Sequence, residues 1–427
     1  MTTLAKNTKR RSGSTYVVVL MLTLLGSLAA STVTWCVGSR ANQAYKQVCL
    51  EQAFYIAAAG SEVAASNIAA GNESSTTLTG TVGAGSYVAV VVCSTLANGS
   101  MDITITSTGT VGGVSHTVVL HGVQHVTWAK YALWYYNEPT TLWMVPGEYF
   151  KGPVASKPQL HFHNKDLSTK GQVHFYDKAR TSYATIEKYN NDSAIKPIFD
   201  FGLVTSATID SIATIDFSAL LATATASGLV LQGPTTISAS GSTLKITNSK
   251  KGWTNQSVSI PAGGLIYVQT YSTKSGTTTT TYNGDITLSA TNGLTGRLTL
   301  VADNDINIAN HVRYTANPST DSTSKDALGL IAKQDVVVQS TAPNNLEIYA
   351  HIICQNGGFG VDGYSSGSSK GTLTVYGGIV NYTRNAVGTT TPTGYVKNYI
   401  YDGRFTKNPP PSYPEIDDEL EWTSWEG

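Results

Sequence analysis

The first seventy residues constrain everything that follows. Lys6, Lys9, Arg10 and Arg11 lead into Ser12-Gly13, and from Ser12 to Ser39 the chain carries 28 residues without a charged side chain. That run exceeds the ~20 apolar residues a helix needs to cross about 30 Å of hydrocarbon. Its core, Tyr16-Val-Val-Val-Leu-Met-Leu-Thr-Leu-Leu-Gly26, predicts a membrane span, and the basic residues before it predict a cytoplasmic N-terminus with the rest of the chain outside the membrane. The next stretch, Asn42 to Ala70, is Ala-rich and free of proline. Apolar residues at Tyr45, Val48, Cys49, Phe54, Ile56, Val63 and Ile68 suit a helix better than a strand. Joined, the two halves predict one helix from about residue 15 to 70, near 80 Å at ~1.5 Å per residue.

Three processing routes fit such a start. One is an uncleaved signal anchor. A second is a secretory signal with an h-region from Val17 to Leu25, cut after Ser27-Leu-Ala-Ala30. The third is a prepilin-type leader cut between Gly13 and Ser14, which keeps the apolar helix on the mature chain. A secretory peptidase would discard half of a continuous helix.

The residues on either side of that cut carry a resemblance. Arg11-Ser-Gly13-Ser14-Thr-Tyr-Val-Val-Val-Leu20, followed by Gln52-Ala-Phe54-Tyr55-Ile-Ala-Ala-Ala-Gly60, resembles PilX-type minor pilins and related pseudopilins. The resemblance implies a leader of residues 1–13 removed by prepilin peptidase and a membrane and assembly helix over 14–71, with Val18, Phe54, Tyr55 and Gly60 on it. It implies inner-membrane insertion, then incorporation into or priming of a type IV pilus or secretion pseudopilus. Implied partners are other pilin subunits, the assembly machinery and membrane lipid. Two positions depart from the family pattern. The glutamate expected five residues into the mature chain is Val18, and the box glutamate is Ala58. Loss of the first points to a low-copy tip or priming subunit.

Composition agrees with an exported, mainly β protein. Charged residues make up 13%, Gly numbers 40, and Ser and Thr are abundant. The chain is neutral, with 28 basic and 28 acidic residues. Without residues 1–13 it would carry a net charge of −4, which argues against nonspecific nucleic-acid binding. Cys36, Cys49, Cys93 and Cys354 are scattered. A Cys49–Cys93 bridge is open outside the cytoplasm, and small buried thiols are the simpler reading.

Residues 73–126 predict a small antiparallel β domain. Ser86–Cys93, Met101–Gly109 and Ser115–His121 have strand length and pattern, with Asn98-Gly and Gly112-Gly as turns. Ile103-Thr-Ile-Thr-Ser-Thr-Gly109 extends the PilX-type resemblance to roughly residue 125.

A β-rich region over 127–261 follows. Its aromatic cluster, Trp128, Tyr131, Trp134, Tyr135, Tyr136 and Trp143, reads either as a sugar-stacking platform or as buried packing. His161 and His163 share a strand face, and His174 could lie beside them, but a metal site needs three converging ligands. A stacked polar ladder is the simpler reading, and no metal or cofactor is expected.

From 262 to 407 short β runs recur between Asn/Asp/Gly turns, headed by Asp285, Asp305 and Asp335 among Leu-headed runs. This predicts a parallel β-solenoid whose levels stack into one core. The expected class is therefore mainly β: a long N-terminal α-helix, a small antiparallel β domain, and a parallel β-solenoid (β-helix) head. The run Leu298–Ile308, Leu328–Val336, Gly371–Val380, with Tyr401-Asp-Gly-Arg-Phe405 and Pro409-Pro-Pro411, is similar to an uncharacterised domain recurring in bacterial PilX-like proteins.

Polysaccharide-cleaving β-helices place carboxylates across a groove, and Asp303, Asp305, Asp335 and Asp362 could supply them. Asp heading equivalent turns fits a repeated backbone cap better. With no nucleophile elbow or phosphate loop in view, no enzyme is expected. The Pro-rich acidic tail, 408–427, ends in Trp422 and Trp425, either a docking peptide for a partner subunit or a cover over the last solenoid level. The function expected is a pilin-like subunit displaying its head for adhesion or partner binding. The runner-up is a membrane-anchored surface protein that binds or cleaves glycans.

Overall fold

The computed structural model describes residues 12–70, 74–95, 101–124, 126–209, 211–212, 215–391, 393–417 and 421–427. The leader, residues 1–11 of it, lies outside the described residues. The chain is mainly β, with one long N-terminal helix, a five-stranded sheet containing antiparallel pairing, and a large sheet built mostly of parallel pairs. It divides into two compact units, one holding the helix and the five-stranded sheet, the other the large sheet.

Helix α1 runs without a break from Ser12 to Ala69. Its first half is exposed on every side, from Thr15 through Val48. The second half buries one stripe: Cys49, Ala53, Ile56, Ala57, Gly60, Ala64 and Ile68. That spacing of three and four is the helical period, so a single face meets the sheet. The sheet is β1 (Thr76–Val82), β2 (Gly85–Thr95), β3 (Met101–Val111) and β4 (Val114–Gln124), with Glu421–Glu426 added beside β4. Along β3 burial alternates, so Ile103, Ile105, Ser107, Gly109 and Val111 share the covered face.

Small residues let helix and sheet touch backbone to backbone. A Cβ added at Gly109 would press into the Ala53 carbonyl and lie 2.5 Å from the Ala57 nitrogen. At Gly60 it would strike the Tyr87 ring at 2.7 Å. The Ala-rich box from Gln52 to Gly60 is therefore a packing surface for this sheet. Cys49 is buried with its thiol free, and the Cys49–Cys93 bridge is not formed.

The second unit is organised by register. In one ladder, parallel pairing aligns Leu229, Ile266, Leu300, Leu330, Ile352, Ile379, Leu133, Val154, Ala179 and Leu203 into one column. Two residues on, Leu231, Val268, Ala302, Ala332 and Cys354 form a second column, continuing through Asn381, Tyr135, Ser156 and Thr181. All nine are buried, as the period of two requires for one inward face. A further ladder stacks Ile348, Val375, Tyr399, Phe150, Phe175 and Phe199. There Phe150 lies 4.9 Å from Phe175, and Phe175 lies 4.7 Å from Phe199, each pair nearly parallel.

Spatial order is not chain order. The strand 369–383 pairs on one side with 347–354 and on the other with 133–137. Residues 133–204 therefore extend the stack past its C-terminal levels, and the expected boundary at 261/262 is no break in the sheet. After Val204 the chain returns to the opposite end, where Leu229 begins. The return uses the helix Phe217–Ser227, capped by the Asp216 carboxylate, which accepts from Ser218 N at 2.8 Å. Its Phe217, Leu220 and Ala224 pack with Tyr267, Val301, Ile331 and Trp134, making a second apolar core on the outer face of the ladder. At the Leu229 end, the antiparallel strands Thr243–Asn248 and Trp253–Ser259 cover the edge.

The C-terminal segment straps this outer face. Thr299 Oγ1 donates to the Pro411 carbonyl, and Arg404 donates to the carbonyls of Ser324 (2.6 Å) and Asp326 (3.1 Å) while pairing with buried Asp402. His351, fully buried, lies between Gly329 and Gly378 on neighbouring strands. A Cβ at Gly378 would come within 2.6 Å of the imidazole, and one at Gly329 within 2.6 Å of Tyr413. The Tyr131 carbonyl can only accept, so His351 Nε2 carries the proton at 3.1 Å, and Nδ1 accepts from Tyr413 O–H at 2.6 Å.

Burial depresses the His351 pKa from 6.5 to about 3. The unfolded chain protonates this residue near pH 6.5 while the folded chain resists until about 3, so its contribution is complete above 6.5 and lost as pH falls through that window. The expected cost is up to about 1.4 kcal/mol per pH unit. Denaturant midpoints at pH 7 and pH 5 should differ less for His351→Gln than for the native chain. An unchanged pH slope in the variant would reject the assignment.

Candidate functional site

Between strand 133–137 and the short strand 149–151 the chain makes an excursion that carries Glu138, Trp143 and Glu148. A second excursion, 384–391, leaves the end of strand 369–383, and strand 394–401 then carries Tyr395 and Lys397. The pairing of 369–383 with 133–137 brings these distant segments to one side of the stack. Between them is a cavity of about 370 Å³ lined by Trp143, Glu148, Tyr364, Arg384, Tyr395 and Lys397, among others. A neighbouring hollow of about 310 Å³ shares Leu142, Tyr364, Arg384 and Asn385 with it and adds Asp335 and Asp362.

The cavity floor is charged and balanced. Arg384 Nη1 donates to the Leu142 carbonyl at 2.7 Å and to Glu138 Oε1 at 3.2 Å, and the same Glu138 oxygen accepts from Leu142 N at 2.6 Å. Lys397 Nζ donates to Glu148 Oε1 at 2.8 Å. These side chains are 6%, 2%, 17% and 4% exposed for Arg384, Glu138, Lys397 and Glu148. Burial works against the Arg384 charge, but Tyr135, Glu138 and Glu148 more than offset it and hold the guanidinium above its ordinary value. Burial pulls the Lys397 amine down, and Glu148 opposes that pull. Two carboxylate oxygens of this cluster are left over: Glu138 Oε2 and Glu148 Oε2 are buried and have no hydrogen-bond partner.

The walls are rigid. Trp143 meets the rings of Tyr189, His161 and His163 edge-on, at 5.4, 5.6 and 5.8 Å. Tyr395 O–H donates to the Pro343 carbonyl at 2.7 Å, and burial pushes its pKa up to about 12. Tyr364 keeps 38% of its surface in solvent.

The aromatic cluster expected from sequence is thus divided. Trp128, Tyr131, Trp134 and Tyr135 are buried packing, and Trp143 reaches the cavity. The histidines differ in their polar partners, although His161 and His163 share Trp143. His161 lies between Glu187 (3.1 Å) and Glu138 (3.4 Å), His163 stacks on Tyr189 at 4.0 Å, and His174 meets Asp200 at 2.8 Å. Among the described residues no group of three His, Cys, Asp or Glu is placed to hold a metal ion.

The aspartates bond to turns. Asp285 Oδ1 accepts from Asp305 N (3.2 Å), Asp305 Oδ1 from Asp335 N (3.0 Å), and Asp335 Oδ1 from Gly358 N (2.7 Å). Burial, joined by the charges of Asp335 and Asp285, raises the Asp305 carboxyl, while the bond from Asp335 N lowers it. Asp303 accepts from Thr270 N at 2.9 Å and from the Tyr267 hydroxyl.

In the first unit, Gly13 and Ser14 have helical backbone, and Val18 is 52% exposed. Phe54 meets the Trp425 ring edge-on at 5.7 Å and His116 at 5.3 Å, whereas Tyr55 points to solvent. Trp425 thus touches Phe54 of its own chain from a strand of the small sheet while keeping half its surface in solvent, and Trp422 on the same strand is exposed too.

No protein-family profile and no curated protein matches the chain. Among solved structures, the competence-associated pilin ComZ from Thermus thermophilus is similar over 89% of this chain and 97% of that one, at 13% identity. The TM-score is 0.31. A likeness that loose carries no chemistry from one chain to the other.

Glu138, Glu148, Arg384 and Lys397 were not singled out by sequence. Truncating one member of a buried ion pair strands the other charge, at a cost of about 3–5 kcal/mol, whereas replacing both with apolar groups is near neutral. Lys397→Met should therefore lower the denaturation midpoint strongly, and Glu148→Leu with Lys397→Met should recover most of the loss. Additive losses in the double variant would show that the pair is not coupled.

Proposed function

We propose that this protein is a pilin-like subunit whose helix is held first by lipid and then by neighbouring subunits in a filament. The observation that carries the reading is the division of α1. Its N-terminal half is exposed and apolar, with a mean hydropathy of 2.1 in its most apolar stretch, and its C-terminal half is bolted to a sheet. Leu20, Met21, Leu22, Leu24, Leu25 and Leu28 are 58–63% exposed, a surface that water does not leave uncovered. The hydroxyls in this stretch bond back to their own helix, Ser27 to Leu24 O (2.8 Å) and Ser31 to Ser27 O (2.7 Å), which suits them to an apolar surrounding.

The resemblance of Arg11–Leu20 and Gln52–Gly60 to PilX-type minor pilins supports cleavage at Gly13 by prepilin peptidase. Val18 in place of glutamate favours a low-copy or priming position in a type IV pilus or secretion pseudopilus. The second unit, read as a parallel β-solenoid, is the displayed head, and the work we assign it is adhesion or partner binding rather than catalysis. Inner-membrane insertion with the N-terminus cytoplasmic precedes assembly.

Sequencing the mature N-terminus tests this directly. Ser14, with or without N-methylation, is the expected first residue. A chain starting at Met1 would make the helix a plain anchor, and one starting near Ala30 would make it a secretory signal.

A further inference from the structure

We infer that the cavity between Trp143 and Lys397 is a binding site for a neutral saccharide unit. This goes beyond the filament reading and does not depend on it, because every residue concerned belongs to the second unit.

Four features select the ligand. The volume, about 370 Å³, admits one or two sugar rings. Trp143 and Tyr364 give aromatic surface of the kind that covers the C–H face of a sugar, and Trp143 is held still by three other rings. Glu148, 4% exposed, lines the cavity with Oε2 unpaired, and an unpaired buried carboxylate oxygen calls for a donor such as a hydroxyl. Around it Thr141, Asn385, Thr389 and Thr390 supply further hydroxyl and amide groups.

Charge excludes the obvious rivals. Arg384 and Lys397 are each paired with a carboxylate, so neither is available as a strong phosphate ligand. Lys170 on the wall is likewise paired, with Asp166 at 3.1 Å, so the lining presents no concentrated charge of either sign to select an ionic ligand. A polyhydroxylated, uncharged ring satisfies both conditions.

The test uses the full chain in a zwitterionic detergent, since sugar-headed detergents would compete. Saturation-transfer NMR would be run with N-acetylglucosamine, galactose, glucose and rhamnose as probes. At least one should receive transfer, and Trp143→Ala should weaken its binding about tenfold or more. Thr390→Trp, placed at an exposed position beside the cavity, should block binding while leaving the denaturation midpoint unchanged, which separates loss of the site from loss of the fold. Glu148→Gln should also weaken binding. The inference is overturned if no probe receives transfer, or if transfer persists unchanged in Thr390→Trp. Either result leaves the identity of the mature N-terminus untouched.

Discussion

The second unit depends on one pairing, that of strand 369–383 with strand 133–137, where Ile379 sits beside Leu133 and Asn381 beside Tyr135. Parallel strands bury both faces only when levels stack without interruption, and this contact joins two blocks of the chain that were made far apart. Inward columns stay continuous across it. Residue sizes change along the column, from Ile352 and Ile379 to Leu133, Val154 and Ala179, but the period never slips. A one-residue slip would turn Tyr135 outward and Trp134 inward, exchanging the two cores.

The outer core is a consequence of the same geometry. A chain that starts in mid-stack, runs to one end and resumes at the other must cross the intervening levels. That crossing segment is apolar enough to be useful: Ile212, Ile215, Phe217 and Leu220 cover Tyr267, Val301 and Ile331. Gln355 fixes it by donating to the Ile215 carbonyl at 2.9 Å. The Asp402–Arg404 pair and Tyr413 then close the remaining surface and act as a clamp on the ladder.

Local periodicity made part of this legible. The helix from residue 15 to 70, the strands near 86–93, 101–109 and 115–121, and the turn aspartates at 285, 305 and 335 all announce themselves within a dozen residues of sequence. The permuted order could not be read that way, because Ile379 and Leu133 are both ordinary β residues and nothing nearby marks them as partners. The cavity was hidden for a related reason. Arg384 lies 246 residues from Glu138, and Lys397 lies 249 from Glu148, so nothing local in the sequence marks either pair. Trp143 was visible as an aromatic, but its neighbours Trp128 and Trp134 had the same appearance and are buried.

The mid-stack start also sets a timetable. Residues 133–204 emerge well before strands 369–401, on which they dock. Until then the early strands offer bare hydrogen-bonding edges, and Phe150 and Phe175 lack the Tyr399 level above them. Contacts this distant in sequence make folding slow and leave unpaired edges exposed to misassociation in the meantime. The second unit therefore closes only when residues far apart along the chain have both been made, so its core is set by topology as much as by local pattern.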